Sequence, residues 1–186
     1  MRVYIVRHGK AEDAPSLPIR RQAEGIERSE DFRRELMPRG VAQAEFLASR
    51  MSKVGAPPER ILSSRYPRAI ETATPINSAL ACDVRTEFGL EVDHPVDEAL
   101  ALIDREMQSG VRSFMLVGHN PQLGELLAVL ASGLAPQQMI LRTGELVAVE
   151  FRSGNMIGGA KIIGRLRQCP DTKDESIVDG VFLSLK

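Results

Sequence analysis

The stretch Val3-Tyr4-Ile5-Val6-Arg7-His8-Gly9 decides how the rest of the sequence is read. Four β-branched or aromatic residues without a polar interruption make a short strand covered on both faces, and the chain then turns polar and reaches a glycine. A second apolar run, Ser113-Phe114-Met115-Leu116-Val117, ends in the same manner, at Gly118-His119-Asn120-Pro121. A third and shorter run, Arg60-Ile61-Leu62-Ser63, leads into Ser64-Arg65-Tyr66-Pro67-Arg68. Each strand therefore delivers an arginine or a histidine at its carboxyl end.

Between these strands the apolar period changes from two to helical. Pro38 opens a helix with Val41, Ala44, Leu47, Ala48 and Met51 on one face, and Gly55 with Pro57-Pro58 closes it. A second helical stretch runs from Pro67 to about residue 81, followed by an extended piece at Val84-Arg85-Thr86. Asp93-His94-Pro95 marks another helix start, with Leu100, Ile103 and Met107 on one face before Gly110. Leu123, Leu126, Leu127 and Leu130 give a further helix after Pro121. Two late strands, Leu146–Phe151 and Ala160–Leu166, are joined through Ser153-Gly154-Asn155 and Gly158-Gly159, which predicts a hairpin at a sheet edge. The alternation predicts an α/β fold, a three-layer α/β/α sandwich around a mostly parallel sheet. Residues 14–37 are charge-dense and poor in apolar anchors, and read as a surface excursion of the kind that serves as a substrate lid. Residues 170–186 read as a polar tail with a short apolar end, Val181-Phe182-Leu183.

With 186 residues the chain fits one domain, spanning 1–186. Hydrophobic residues at 43% and charged residues at 26% are enough to bury a core, and the net charge of -1 provides no general attraction to nucleic acid or anionic membrane. Affinity for an anion has to be local. The first apolar run is too short for a signal peptide or a membrane span, so a cytoplasmic protein is expected. Cys82 and Cys169 lie far apart without metal-ligand spacing and read as free thiols. No cofactor is expected, and no metal, because two strand-end histidines without carboxylate or thiolate partners do not complete a zinc shell.

In sheets of this type ligands bind beyond the carboxyl ends of the strands. A phosphoryl group has three anionic oxygens, and its transfer relies on positioning and charge stabilisation, which arginines and imidazoles supply. Arg7-His8-Gly9 after a first strand, the pattern Ser-x-x-x-Arg-Ala-x-x-Thr-Ala at residues 64–73, and Gly118-His119-Asn120-Pro121 together resemble the histidine phosphatase superfamily, with its phosphoglycerate mutase-like fold. The resemblance spans roughly residues 1–132, and Arg-His-Gly-x-Ala at residues 7–11 looks most like the SixA-type phosphohistidine phosphatases. It implies His8 as nucleophile, Arg7 and Arg68 as phosphate clamps, and His119 as a further phosphate ligand. Physically, a neutral His8 nitrogen can attack phosphorus to give a phosphohistidine that water opens. A protonated His119 would stabilise the equatorial oxygens, and Gly9 would let the backbone approach phosphate closely.

Where the family carries Ser-Pro this chain has Ser64-Arg65, so Arg65 competes with Arg68 for the clamp; Arg68 is preferred because the pattern continues from it. Arg20-Arg21 and Arg33-Arg34 read as solvated charges; the lesser reading is that one of these arginines folds over the phosphate, and Arg34 is then the better candidate. Glu87, Glu91 and Asp93 are candidates for a general acid, none at a convincing spacing, and His94 reads as a surface residue. A phosphohistidine substrate needs that acid least, which favours a phosphorylated protein as partner. The rivals are a small phosphorylated metabolite, and a catalytically silent module that recognises phosphate. Oligomeric state is not readable from these residues.

Overall fold

The computed structural model of the protein describes residues 1–13, 26–131, 139–151 and 155–168. The first half of the expected excursion, with Arg20-Arg21, lies outside the described residues, as do Ser153-Gly154, Cys169 and the tail at 170–186. A single sheet of six strands runs through the described residues: β1 (Arg2–Arg7), β2 (Arg60–Ser63), β3 (Asp83–Thr86), β4 (Ser113–Gly118), β5 (Leu146–Phe151) and β6 (Ala160–Leu166), in the spatial order β3-β2-β4-β1-β5-β6. The first four are parallel, whereas β5 runs antiparallel to β1 and β6 antiparallel to β5. The expected hairpin thus closes one edge of the sheet, and the short extended piece forms the other edge as β3.

Alternation along the strands sorts side chains into two cores. Val3 and Ile5 of β1, Phe114 and Leu116 of β4 and Val147 and Val149 of β5 face one side. Tyr4 and Val6, Met115 and Val117, and Leu146 and Ala148 face the other. Helices α4 (Val96–Gln108) and α5 (Gln122–Ala131) cover the first side with Ala99, Leu102, Ile103, Leu123, Leu126, Leu127 and Leu130. Helices α2 (Pro38–Met51) and α3 (Pro67–Leu80) cover the second with Phe46, Leu47, Met51, Ala69, Ala73 and Ile76. Because β1 and β4 are covered on both faces, they read in the sequence as uninterrupted apolar runs.

Helix α1 (Ile26–Arg33) lies in the second half of the excursion. The proline displaced in the Ser64–Ala73 pattern occupies the first turn of α3, where its missing N–H is harmless, and this places Arg68 inside the helix with only 2% of its surface exposed. Among the described residues no helix is long and apolar enough to cross a membrane.

Candidate active site

The carboxyl ends of β1 and β4 are hydrogen-bonded neighbours, with Arg7 paired to Gly118 and the His8 N–H donating to the Gly118 carbonyl at 3.2 Å. This register brings the rings of His8 and His119 to 5.0 Å between centroids, and both residues are buried. Nδ1 of His8 lies 2.7 Å from the Gly9 carbonyl oxygen. A carbonyl can only accept, so Nδ1 carries the proton and Nε2 keeps its lone pair. Burial, then the positive charges of Arg68, Arg7 and Arg34, hold the His8 pKa down at about 3, despite the opposing bond to Gly9. The ring is a neutral nitrogen base at any ordinary pH.

His119 is fixed differently. Its Nε2 lies 2.9 Å from the Ser64 hydroxyl, and that oxygen already accepts the Tyr66 N–H at 3.3 Å. The hydroxyl proton is then free to go to Nε2, and the network assigns the remaining ring proton to Nδ1. Burial, followed by His8 and the arginines, drives the His119 pKa well below its usual value. The condition attached to His119, that it be protonated, is not met: its ring is neutral, and it offers a single N–H at Nδ1.

Three arginines surround the rings. Arg7 is anchored by a 2.8 Å bond from Nη1 to the Leu141 carbonyl, which also accepts from Nδ2 of Asn120 at 2.7 Å. Arg68 lies over the Tyr66 ring at 4.6 Å, and Tyr66 in turn packs edge-on against His119 at 5.1 Å. Arg34 acts on Arg7, His8, Arg68 and His119 alike, which places it at the same centre and not among solvated surface charges. Arg65 does not compete for this place. It is about half exposed, lies over Phe88 at 5.1 Å and is ion-paired with Glu91.

Two of the three candidate acids are engaged in ion pairs, and the third is exposed. Glu87 is paired with Arg105 at 2.6 Å, Glu91 with Arg65, and Asp93 is exposed in a left-handed turn with φ 65°. Glu91 and Asp93 act on Tyr66, whereas the charges that act most strongly on His8 are the three arginines. His94 is half-buried, with Nδ1 2.8 Å from Glu98 and its ring edge-on to Phe88, so it is a packed and paired residue instead of a free surface one.

Four contributors were not singled out in the sequence. Ser64 and Thr72 both lie inside the quoted pattern, and the structure explains their spacing: Thr72 Oγ1 donates to the Arg68 carbonyl one turn back at 2.7 Å and accepts the Gly9 N–H at 3.0 Å. Gln43 ties the loop after β1 to the loop before β5, accepting from Lys10 N at 2.9 Å and donating to the Thr143 carbonyl at 3.0 Å. Asp31 lies in the charge run of the excursion and carried no signal of its own. Gly9 has a use beyond the one expected. A Cβ on Gly9 would sit 2.7 Å from the Gly40 carbonyl oxygen, so the close approach is to α2.

Nε of Arg7, Nε of Arg68 and Nδ1 of His119 are buried and have no partner among the described residues. An unpartnered buried donor costs roughly 1–3 kcal/mol, and all three would be satisfied by one ligand rich in acceptor oxygens. A separate groove lined by Ile140, Arg142, Glu145, Arg165, Leu166 and Arg167 includes none of these residues.

Residues 3–98 match the family model of the histidine phosphatase superfamily, branch 1. The chain is similar to the phosphohistidine phosphatase SixA homolog of Haemophilus influenzae, 30% identical over 139 residues that cover 70% of this chain and 77% of that one. Among solved structures it resembles a candidate phosphohistidine phosphatase SixA from Agrobacterium tumefaciens, with a TM-score of 0.68, 26% identity, and 89% of this chain and 96% of that chain covered. The fold is also shared with the protein histidine phosphatase SixA complexed with tungstate, at a TM-score of 0.72, 22% identity, and coverage of 90% and 97%. The matched segment carries Arg7, His8, Arg34 and Arg68 on the same strand and helix ends described above, and on these grounds the chain belongs to the histidine phosphatase superfamily and is a phosphatase.

Proposed function

We propose that the protein hydrolyses a phosphoryl group through a covalent phosphohistidine on His8, and that its substrate is a phosphohistidine on another protein. The observation that carries the first half is the 2.7 Å bond from His8 Nδ1 to the Gly9 carbonyl, which leaves Nε2 unprotonated. Nε2 attacks phosphorus, the P–N bond to His8 forms and the bond to the leaving group breaks. Water then attacks the phosphorus of phospho-His8, inorganic phosphate departs and Nε2 recovers its lone pair. Arg7, Arg68 and the Nδ1–H of His119 are the donors that hold the phosphoryl oxygens as charge redistributes. Arg34 adds a third guanidinium.

The second half is supported by the pairing of Glu87 with Arg105 and of Glu91 with Arg65, and by the exposure of Asp93. An alkoxide leaving group needs a proton from an acid. A phosphohistidine whose ring is protonated leaves as neutral imidazole and needs none.

Turnover of a generic aryl phosphate by wild type and His8→Ala, with vanadate as inhibitor, tests the mechanism. Wild type is expected to be active and vanadate-sensitive, and His8→Ala to be inactive. Activity that survives the substitution removes His8 from the reaction, and an inactive but phosphate-binding wild type would make the chain a recognition module. The substrate is tested by comparing a phosphohistidine-bearing carrier protein with a panel of sugar phosphates. Faster turnover of any sugar phosphate refutes the protein substrate.

A further inference from the structure

Among the described side chains of helix α1, Asp31 is the one bonded to the arginines of the centre described above, and it has the opposite charge to its partners. Asp31 accepts from both terminal nitrogens of Arg68, through its carbonyl from Nη1 at 2.6 Å and through Oδ2 from Nη2 at 2.8 Å. Its second carboxylate oxygen, Oδ1, accepts from Arg34 Nη1 at 2.6 Å. One residue thus bridges two of the three guanidiniums. Phe32 beside it packs edge-on against Tyr66 at 4.9 Å, the same ring that lies under Arg68, so the end of α1 is seated on the site from two sides.

We propose that Asp31 is a positioning residue that holds Arg34 and Arg68 ready for one phosphoryl group. The proposal rests on the reading of Arg68 as a phosphate clamp. Two features of the geometry carry it. First, Asp31 occupies the terminal end of the Arg68 fork and leaves Nε, which is buried and without a partner among the described residues. An anion bound along the Nε edge does not displace the carboxylate, so both can be present together. Second, Arg7, Arg34 and Arg68 carry like charges around two neutral imidazoles, and each depresses the His8 pKa. Without the Asp31 carboxylate the side chain of Arg34, the more exposed of the two bridged arginines, keeps among the described residues only the bond from its Nε to the Glu12 carbonyl at 2.7 Å, and its Nη1 end is free to turn away from the centre. Asp31 stays ionised there, because the hydrogen bonds from Arg34 and Arg68 outweigh the effect of its burial and lower its pKa.

The test measures binding of inorganic phosphate by calorimetry in wild type, Asp31→Asn, Arg34→Ala and the double variant, with unfolding midpoints recorded alongside. Asp31→Asn is expected to raise the Kd by about tenfold, the size of one lost charge-assisted hydrogen bond, with the midpoint little changed. In the Arg34→Ala background the same substitution should change the Kd by less than about threefold, because the bridge has already lost one end. A purely structural Asp31 would act equally in both backgrounds. Asp31→Glu, which retains the carboxylate, should recover part of the affinity. Unchanged or tighter phosphate binding in Asp31→Asn overturns the proposal, since it would make Asp31 a bystander or a competitor of the anion. If Asp31→Asn does not fold, Asp31→Glu decides: a Kd raised severalfold, as the longer carboxylate shifts the two arginines, supports the bridge, and unchanged binding refutes it. Binding needs no turnover, so the fate of His8 as nucleophile is read separately from the His8→Ala assay.

Discussion

His8 and His119 sit 5.0 Å apart at adjacent strand ends, yet they present opposite faces to a phosphoryl group. One offers a lone pair at Nε2 because a backbone carbonyl holds its proton, and the other offers a proton at Nδ1 because a serine hydroxyl holds its lone pair. Ser64→Ala should therefore release the His119 tautomer while leaving His8 untouched. The expected outcome is a roughly tenfold to hundredfold loss in kcat/KM on an aryl phosphate, in the range of one hydrogen bond to a charged group, with His8 still phosphorylated in trapping experiments. Equal activity in the variant would show that the serine does not set the ring. The sequence made Arg7, His8, Arg68 and His119 legible because strand ends are where sheets of this kind gather their ligands. It could not show the charge state of His119, which is set by burial and by arginines distant along the chain. Arg65 was ambiguous for a related reason. Two arginines three residues apart near a helix start look alike until the helix places one inside and the other against Glu91.

The elements that were hardest to read are those not held by apolar burial. Helix α1 has the sequence Ile-Glu-Arg-Ser-Glu-Asp-Phe-Arg, without a helical stripe, and is fastened through Asp31 and Phe32. Strand β3 is exposed along its whole length and owes its place to pairing with β2, so it showed in the sequence only as a short extended piece. The helices α2 to α5, by contrast, each bury apolar faces that the sequence displays at helical spacing. The start of α2 carries a sharper constraint. A Cβ on Gly40 would come within 2.2 Å of the Lys10 carbonyl oxygen, and one on the facing Gly9 within 2.7 Å of the Gly40 carbonyl oxygen. The loop following His8 and the first turn of α2 are in backbone contact, and no side chain fits between them. Gly40→Ala is expected to lower unfolding stability by roughly 1–3 kcal/mol, the usual range for overpacking, and to reduce activity by shifting the loop that carries His8. Chemical denaturation with a parallel aryl phosphate assay checks both, and a stable, fully active variant would show that the loop yields without cost.

For the molecule as a whole, keeping imidazoles buried and neutral ties stability to pH. The pKa of His8 is about 3 in the folded chain against an ordinary value of 6.5, and that of His119 is also strongly lowered. Between those values the unfolded chain binds protons that the folded chain refuses. Stability is therefore full above about pH 6.5 and declines as the pH falls toward 3, by up to roughly 1.4 kcal/mol per pH unit for His8, with His119 acting in the same direction. Denaturant melts between pH 7 and 4 should show this slope, and His119→Gln should flatten part of it. An unchanged midpoint across that interval would mean that the rings are not kept neutral. The sheet order was less accessible from sequence than its composition, because the identity of a strand's neighbours depends on crossovers that local pattern does not encode.

That order bears on how the protein is made. β1 and β2 emerge early from the ribosome, but they are not neighbours: β4, translated some fifty residues after β2, lies between them and carries His119 at its end. A nascent chain that already displays His8 and Arg68 still has a gap in the middle of its sheet, and it remains inert until synthesis has passed β4 and that strand has threaded into place.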